Sequence, residues 1–263
     1  MQTFLIFFYK RKLNSYNLTV HSSVGTSITT YCGIWTEGLA GRGGNHIASA
    51  LIAALKKVVD DTPGLKHVIL WSDSCVPQNR NSITSFALLD FLWNTPSLES
   101  IEQKFCEPHH SSIQEIDNIH SQIEKHLKLV EVYSQIFLCR VLLTVNQRRP
   151  LQVVQMKVGD FMDFHKASAC LAFSNVPYAK LKHSIYRRSL TVEYKTSFSQ
   201  DSFEAVTVER CGRQVQQCSS SSDSQNVANL PKPGQCPKAS SSALRVEKKK
   251  DLHSMLQFMP QVN

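Results

Sequence analysis

A short apolar run followed at once by a polar segment constrains the fold of this chain most. Residues 68–71 read VILW and follow Pro63-Gly64, and residues 72–81 read SDSCVPQNRN. The length and β-branched content of the first segment predict a buried strand, so Asp73 lies at its carboxyl end. In open α/β sheets ligands bind beyond those ends. Asp73 is therefore well placed for a metal ion or a phosphate.

A second group of ionisable residues lies on a predicted helix further along the chain. Asp117, His120 and Glu124 are spaced by three and then four residues, which places them within about 60° of one another on a helix. An adjacent apolar stripe consists of Ile116, Ile123 and Leu127. Two carboxylates joined by Asp73 would form an oxygen site suited to Mg²⁺ or Mn²⁺. An ordinary solvated helix face is the alternative interpretation.

Several separated motifs occur in a characteristic order. They are the SDxCxxQNRN pattern at 72–81, the KFxEPxH pattern at 104–110, Asp117, and an Ile-Glu pair at 123–124, preceded by YN at 16–17, WTE at 35–37 and GRG at 41–43. The order resembles an uncharacterised domain family of animal proteins derived from DNA transposons, over residues 9 to 164. Members of that family look like DDE-type transposases with an RNase H-like core.

The resemblance implies catalytic roles for Asp73, Asp117, His110 and Glu124, with Mg²⁺ or Mn²⁺ bound by Asp73 and Asp117. The family's first acidic strand would precede residues 9–11, so we expect this chain to lack it. Glu37, which follows a predicted strand, is the substitute metal ligand that we expect.

The chain also departs from the family pattern at three places. His109 replaces a usual Gly, Ile116 replaces a common Cys, and Val76-Pro77 replaces small residues. These departures and the missing strand favour a protein that no longer cleaves DNA efficiently.

The polar segment after the predicted strand also suits a phosphate. Gln78, Asn79 and Arg80 offer amide and guanidinium donors, although Asn79 or Asn81 could instead cap the next helix. The first 125 residues carry a net charge of −1 and the remainder a net charge of +9. In the basic half, we expect Arg148 and Arg149 to contact DNA. A solvated basic surface is the alternative.

Hydrophobic periodicity predicts an α/β fold, namely an RNase H-like mixed sheet flanked by helices and lacking its first strand. We expect strands at 16–21, 28–35, 68–71, 100–105, 151–156, 190–194 and 206–208. Helices are expected at 47–58, after a flexible turn at 41–44, and at 82–93, 112–130 and 134–143, with a helical turn at 159–164. The predicted domains are 1–166 for the transposase-derived core, 167–210 for its extension, and 211–263 for a disordered tail rich in Ser and Pro, with Lys residues.

Composition indicates where in the cell the protein is expected and which classes of protein it can belong to. Eight cysteines include no CxxC pair, which indicates reduced, intracellular thiols. The run Lys248-Lys249-Lys250 suits nuclear import, or is simply solvated. No segment is apolar enough for a membrane span. Three hypotheses remain: a metal-dependent transposase-like enzyme, a non-catalytic nucleic-acid or protein interaction module, and a transposon remnant.

Overall fold

The structure, a computed structural model, describes residues 13–106, 115–132, 134–209, 230–236 and 244–256. Its α-helices are α1 Gly44–Asp61, α2 Ser82–Trp93, α3 Glu115–Leu127, α4 Gln135–Thr144, α5 Phe164–Ser168 and α6 Val246–Leu256. Its strands are β1 Ser15–Val24, β2 Ser27–Thr36, β3 His67–Ser72, β4 Ser100–Phe105, β5 Gln152–Gln155, β6 Met162–Asp163, β7 His183–Arg187, β8 Thr191–Lys195, β9 Glu204–Thr207 and β10 Gly234–Gln235.

The chain divides into two compact units, each assembled from separate segments. The hairpin unit comprises the described parts of 1–42, 115–160 and 237–263. The five-strand unit comprises those of 43–114 and 161–236. Segments distant in sequence pack together in each unit, and the division predicted at residues 166 and 210 stays a prediction.

The hairpin unit is built on β1 and β2, which pair antiparallel along their whole length. Their turn contains Gly25 at φ 57°, a conformation that glycine adopts without a steric penalty. Strand β5 adds to β2 in parallel. Apolar residues of α3, α4 and the sheet form a shared core: Cys32, Ile34, Ile123, Leu142 and Leu151.

The five-strand unit contains a mixed sheet with the order β3-β4-β7-β8-β9. The β3–β4 pair is parallel, and every other neighbouring pair is antiparallel. Helices α1, α2 and α5 contribute to one large core that also takes side chains from one face of this sheet. Helix α2 is buried along most of its length, which explains its almost continuous apolar sequence. Representative core residues are Leu55, Phe86, Leu89, Ile101 and Tyr186.

The glycine-rich segment at 41–44 has a packing role at the start of α1. A Cβ atom on Gly44 would lie 2.9 Å from Cδ1 of Ile83 at the start of α2. Glycine therefore permits the two helix ends to approach closely. The side chain of Asn81 caps α2 by accepting a hydrogen bond from the Thr84 backbone N–H at 2.9 Å.

The predicted α/β class, with mixed sheets flanked by helices, is confirmed, and most predicted elements occur within a few residues of their expected bounds. Strand β7 was not predicted. The RNase H-like arrangement is not confirmed, because the β1–β2 hairpin pairs with β5 and belongs to a different sheet from β3.

The expectation of a buried strand at 68–71 is wrong for one face of β3. Ile69 is 52% exposed and Trp71 is 58% exposed, whereas Val68 and Leu70 pack against the core. Successive side chains of a strand point to opposite faces, and only one face of β3 packs against the large core.

The predicted C-terminal tail is described in two stretches. Strand β10 pairs antiparallel with β6, and α6 is helical. The rest of the tail lies outside the described residues. Among the helices that the structure describes, none is long and apolar enough to cross a membrane.

Leu89→Ala should lower the free energy of unfolding by about 2–5 kcal/mol, because Leu89 is fully buried in the core. Ile69→Ala is the matched control. It removes an apolar side chain of similar size from the exposed face, and its effect should be less than about 1 kcal/mol. Urea denaturation measures both variants, and equal losses of stability would contradict the assignment of the two faces.

Candidate functional site

The loop that follows β3 is held in place by backbone and side-chain hydrogen bonds. The backbone N–H groups of Gln78 and Asn79 donate to the Cys75 carbonyl at 3.2 and 2.9 Å. The Ser74 hydroxyl donates to the carbonyl of Cys106, just beyond β4, at 2.6 Å. These hydrogen bonds fix the conformation of the loop and connect it to the residue that follows β4.

Asp73 lies at the carboxyl end of β3, as predicted, and its side chain is exposed. One carboxylate oxygen accepts a hydrogen bond from the Asn79 side-chain amide and a longer one, at 3.4 Å, from the Cys75 backbone N–H. These contacts close the loop on itself. Asp73 thus acts as a structural residue of the loop.

A chain of hydrogen bonds supports this loop from the core. The Gln103 side-chain amide donates to the Asn79 carbonyl at 3.0 Å, and its oxygen accepts from the Tyr186 hydroxyl at 3.2 Å. The Tyr186 hydroxyl also contacts the hydroxyl of Ser85 at 2.8 Å and that of Ser184 at 3.2 Å. Burial raises the pKa of Tyr186, so its hydroxyl stays protonated and remains a donor.

Arg80 also stabilises the loop, through contacts with residues outside it. Its Nη1 donates to the Leu181 carbonyl at 3.2 Å, and its guanidinium lies 5.8 Å from the centroid of the Phe105 ring. Its Nε is buried and has no hydrogen-bond partner among the residues that the structure describes. Of the three loop residues predicted to bind nucleic acid, Asn79 and Arg80 are engaged internally, and Gln78 is exposed.

The predicted polar trio lies on α3 in the hairpin unit, whereas Asp73 belongs to the five-strand unit. Asp117, His120 and Glu124 are all exposed, and Nε2 of His120 lies 3.1 Å from the hydroxyl of Thr19 on β1. The apolar side of α3 packs as expected through Ile123 and its neighbours. The helix faces were therefore predicted correctly, while the joint site with Asp73 stays a prediction.

Glu37, the expected substitute ligand, follows β2 and is engaged by three donor groups from two residues. Its carboxylate accepts from the backbone N–H of Asn14 at 2.6 Å and from the Asn14 side-chain amide at 3.2 Å. It also forms an ion pair with Lys248 of α6. Partial burial raises the pKa of Glu37, but the hydrogen bonds from Asn14 and Lys248 outweigh this effect and lower it overall.

Within the described ranges, no group of three or more His, Cys, Asp or Glu side chains could hold a metal ion. His110 lies outside those ranges. The Mg²⁺ or Mn²⁺ site therefore stays a prediction.

A turn after α4 presents two exposed arginines. The Asn146 side-chain oxygen accepts from the backbone N–H groups of Arg148 and Arg149 at 3.1 and 3.0 Å. The Asn146 amide donates to Gln122 of α3 at 3.3 Å. This predicted pair is thus held on an ordered turn, with both residues exposed.

Sequence reasoning missed the supporting residues Gln103 and Tyr186 and the exposure of Trp71. Strand β4 reads SIEQKF, in which Gln103 alternates with Glu102 and Lys104. Gln103 therefore shares its face of the strand with Ile101 and Phe105, which indicates that it is buried, but no local signal pairs Gln103 with Tyr186. The exposure of Trp71 depends on which helices cover the sheet.

The chain matches no family model, and no curated protein or solved structure is significantly similar to it. The resemblance to transposon-derived proteins therefore stays a prediction.

Tyr186→Phe should lower the free energy of unfolding by about 1–3 kcal/mol, because it leaves buried polar groups of Gln103, Ser85 and Ser184 without their shared partner. Tyr194→Phe is the matched control. Its hydroxyl donates to the exposed Glu204, which water can solvate, so the loss should be about 0.5 kcal/mol or less. Equal losses in urea denaturation would contradict the supporting role.

Glu37→Gln should destabilise the protein at neutral pH by no more than about 1 kcal/mol. Because the pKa of Glu37 is lowered in the folded state, its contribution is complete above the pKa of an unfolded glutamate and is lost as pH falls through the lowered value. The difference from the unmodified protein should therefore shrink on acidification below about pH 4. Denaturation curves at several pH values test this, and a difference that grows with acid would contradict it. Glu124→Gln, at an exposed site, is the control at neutral pH.

Proposed function

We propose that this chain is a nuclear nucleic-acid-binding protein that derives from a DDE-type transposase and has no nuclease activity of its own. The observation that carries the proposal is the turn of Arg148 and Arg149, which Asn146 holds in an exposed position. Arginine guanidinium groups bind phosphate oxygens with two parallel hydrogen bonds. Phosphate contacts of this kind bind DNA without reading its sequence.

The engagement of the predicted metal ligands supports the absence of catalysis in this proposal. Asp73 accepts hydrogen bonds from its own loop, and Glu37 is paired with Lys248. A two-metal mechanism requires carboxylates that converge on the reacting phosphate. Both carboxylates thus have structural partners within their own unit, and we derive no catalytic step through a metal.

Binding to duplex DNA should weaken steeply as salt is added, with a log–log slope of about −0.9 for each phosphate neutralised. The double variant Arg148→Ala/Arg149→Ala should weaken binding uniformly across sequences and make this slope shallower by about 1–2. The matched control is Lys56→Ala/Lys57→Ala, which removes two exposed cations from α1. Absence of binding at low salt, or equal effects of the two double variants, would contradict the proposal.

Incubation of DNA with the same protein and Mg²⁺ or Mn²⁺ should give no cleavage above that of an Asp73→Ala control. Metal-dependent cleavage that Asp73→Ala abolishes would overturn the non-catalytic part of the proposal while leaving DNA binding intact.

A further inference from the structure

The five-strand sheet has a second face, opposite the one that contributes to the large core. Register places Trp71 opposite Lys104, Lys104 opposite His183, and His183 opposite Lys195. Paired residues on neighbouring strands lie on the same face of a sheet. The four side chains therefore form one row across β3, β4, β7 and β8, which we term the cross-strand row.

An aromatic pair lies at the β3 end of the cross-strand row. Trp71 stacks with Phe198 of the β8–β9 loop, with ring centroids 6.2 Å apart and an angle of 29° between the rings. The two side chains remain 58% and 43% exposed. The Lys104 ammonium lies 5.7 Å from the centroid of the Trp71 ring. Two exposed aromatic rings and a neighbouring ammonium group are thus accessible to a binding partner.

The other end of the cross-strand row repeats this combination. The Lys195 ammonium lies 4.5 Å from the centroid of the Phe203 ring, and His183 contacts the same ring edge-on at 5.0 Å. An aromatic ring with a nearby ammonium therefore occurs twice along one row. Four strands spaced by about 4.8 Å make the row roughly 14 Å long.

The charges of this face favour an anionic partner. Its strand residues include three cations, Lys104, Lys195 and Arg187, and two carboxylates, Glu102 and Glu193. Glu102 is bound to Lys104 and His183, and Glu193 is bound to Arg187. The carboxylates are thus neutralised locally, and Lys195 is the cation in excess.

We propose that the cross-strand row, with Phe198 and Phe203, binds single-stranded nucleic acid, with bases stacked on the aromatic rings and phosphates on Lys104 and Lys195. Exposed aromatic side chains with neighbouring cations fit unpaired bases, whose faces are accessible. His183 within the row is itself buried against the Phe203 ring, so the exposed Trp71–Phe198 pair is the main stacking surface. Bases in a duplex are already stacked on one another. This inference names a ligand class and a surface for the nucleic-acid binding proposed above and rests on that proposal.

Fluorescence anisotropy with labelled oligo(dT), oligo(rU) and a DNA duplex tests the inference on the full chain. Trp71→Ala should weaken binding of the single strands by on the order of 10- to 100-fold, because stacking of a base on the ring is lost. Trp71→Phe should retain most of the binding. Phe198→Ala and Lys104→Gln should weaken it as well, and the second should reduce its salt dependence. The dT and rU arms distinguish a DNA strand from an RNA strand.

Phe137→Ala is the matched control, because Phe137 is an exposed phenylalanine on α4, and it should bind single strands like the unmodified chain. Circular dichroism verifies folding, and Phe198→Ala provides a second test if Trp71→Ala does not fold. Unchanged single-strand binding in both the Trp71 and Phe198 variants would overturn the inference and leave duplex binding standing. A change of oligomeric state in these variants without loss of single-strand binding would instead identify a second copy as the occupant. Absence of binding to all three probes would overturn both proposals.

Discussion

The buried hydroxyl of Tyr186 is the interaction on which the five-strand unit most depends. It joins α2, β4 and β7 through Ser85, Gln103 and Ser184. Gln103 in turn holds the loop that carries Asp73. A buried polar network is stable only when every member is paired, because an unpaired member keeps the cost of desolvation. The conformation of the candidate site is therefore fixed by buried core residues that do not contact a ligand. A substitution in this network is expected to change the loop and the core together.

The two faces of the same sheet have different environments. One face contributes to a core with three helices, and the other exposes Ile69 and Trp71. Strand β3 carries apolar residues on both of its faces, so its sequence is compatible with packing partners on both sides of the sheet. The apolar residues left open on β3 are therefore the basis for a binding surface. Both proposals concern polyanions, but they use different units: exposed arginines in the hairpin unit and stacked aromatic rings in the five-strand unit.

The sequence predicted most helices and strands because each has a clear local period and the expected breaking residues, such as Pro96 after α2. It also predicted the position of Asp73 and the exposed face of α3. It did not predict that β1 and β2 pair with β5, since pairing between distant strands depends on tertiary packing. The partners of Asp73 and Glu37 were missed for a related reason. Lys248 is far from Glu37 in sequence, and Asn79 was interpreted as a phosphate ligand or a helix cap instead of a partner of Asp73.

We propose that Asp73 is a structural residue of its loop and does not bind a divalent metal ion. Paramagnetic broadening by Mn²⁺ in ¹H–¹⁵N spectra tests it most directly, because the effect identifies the backbone amides closest to a bound ion without requiring catalysis. We expect no selective broadening of the amides at 73–81, and the same response in the Asp73→Ala variant. Selective broadening of those amides at a low Mn²⁺ concentration, abolished by Asp73→Ala, would contradict it.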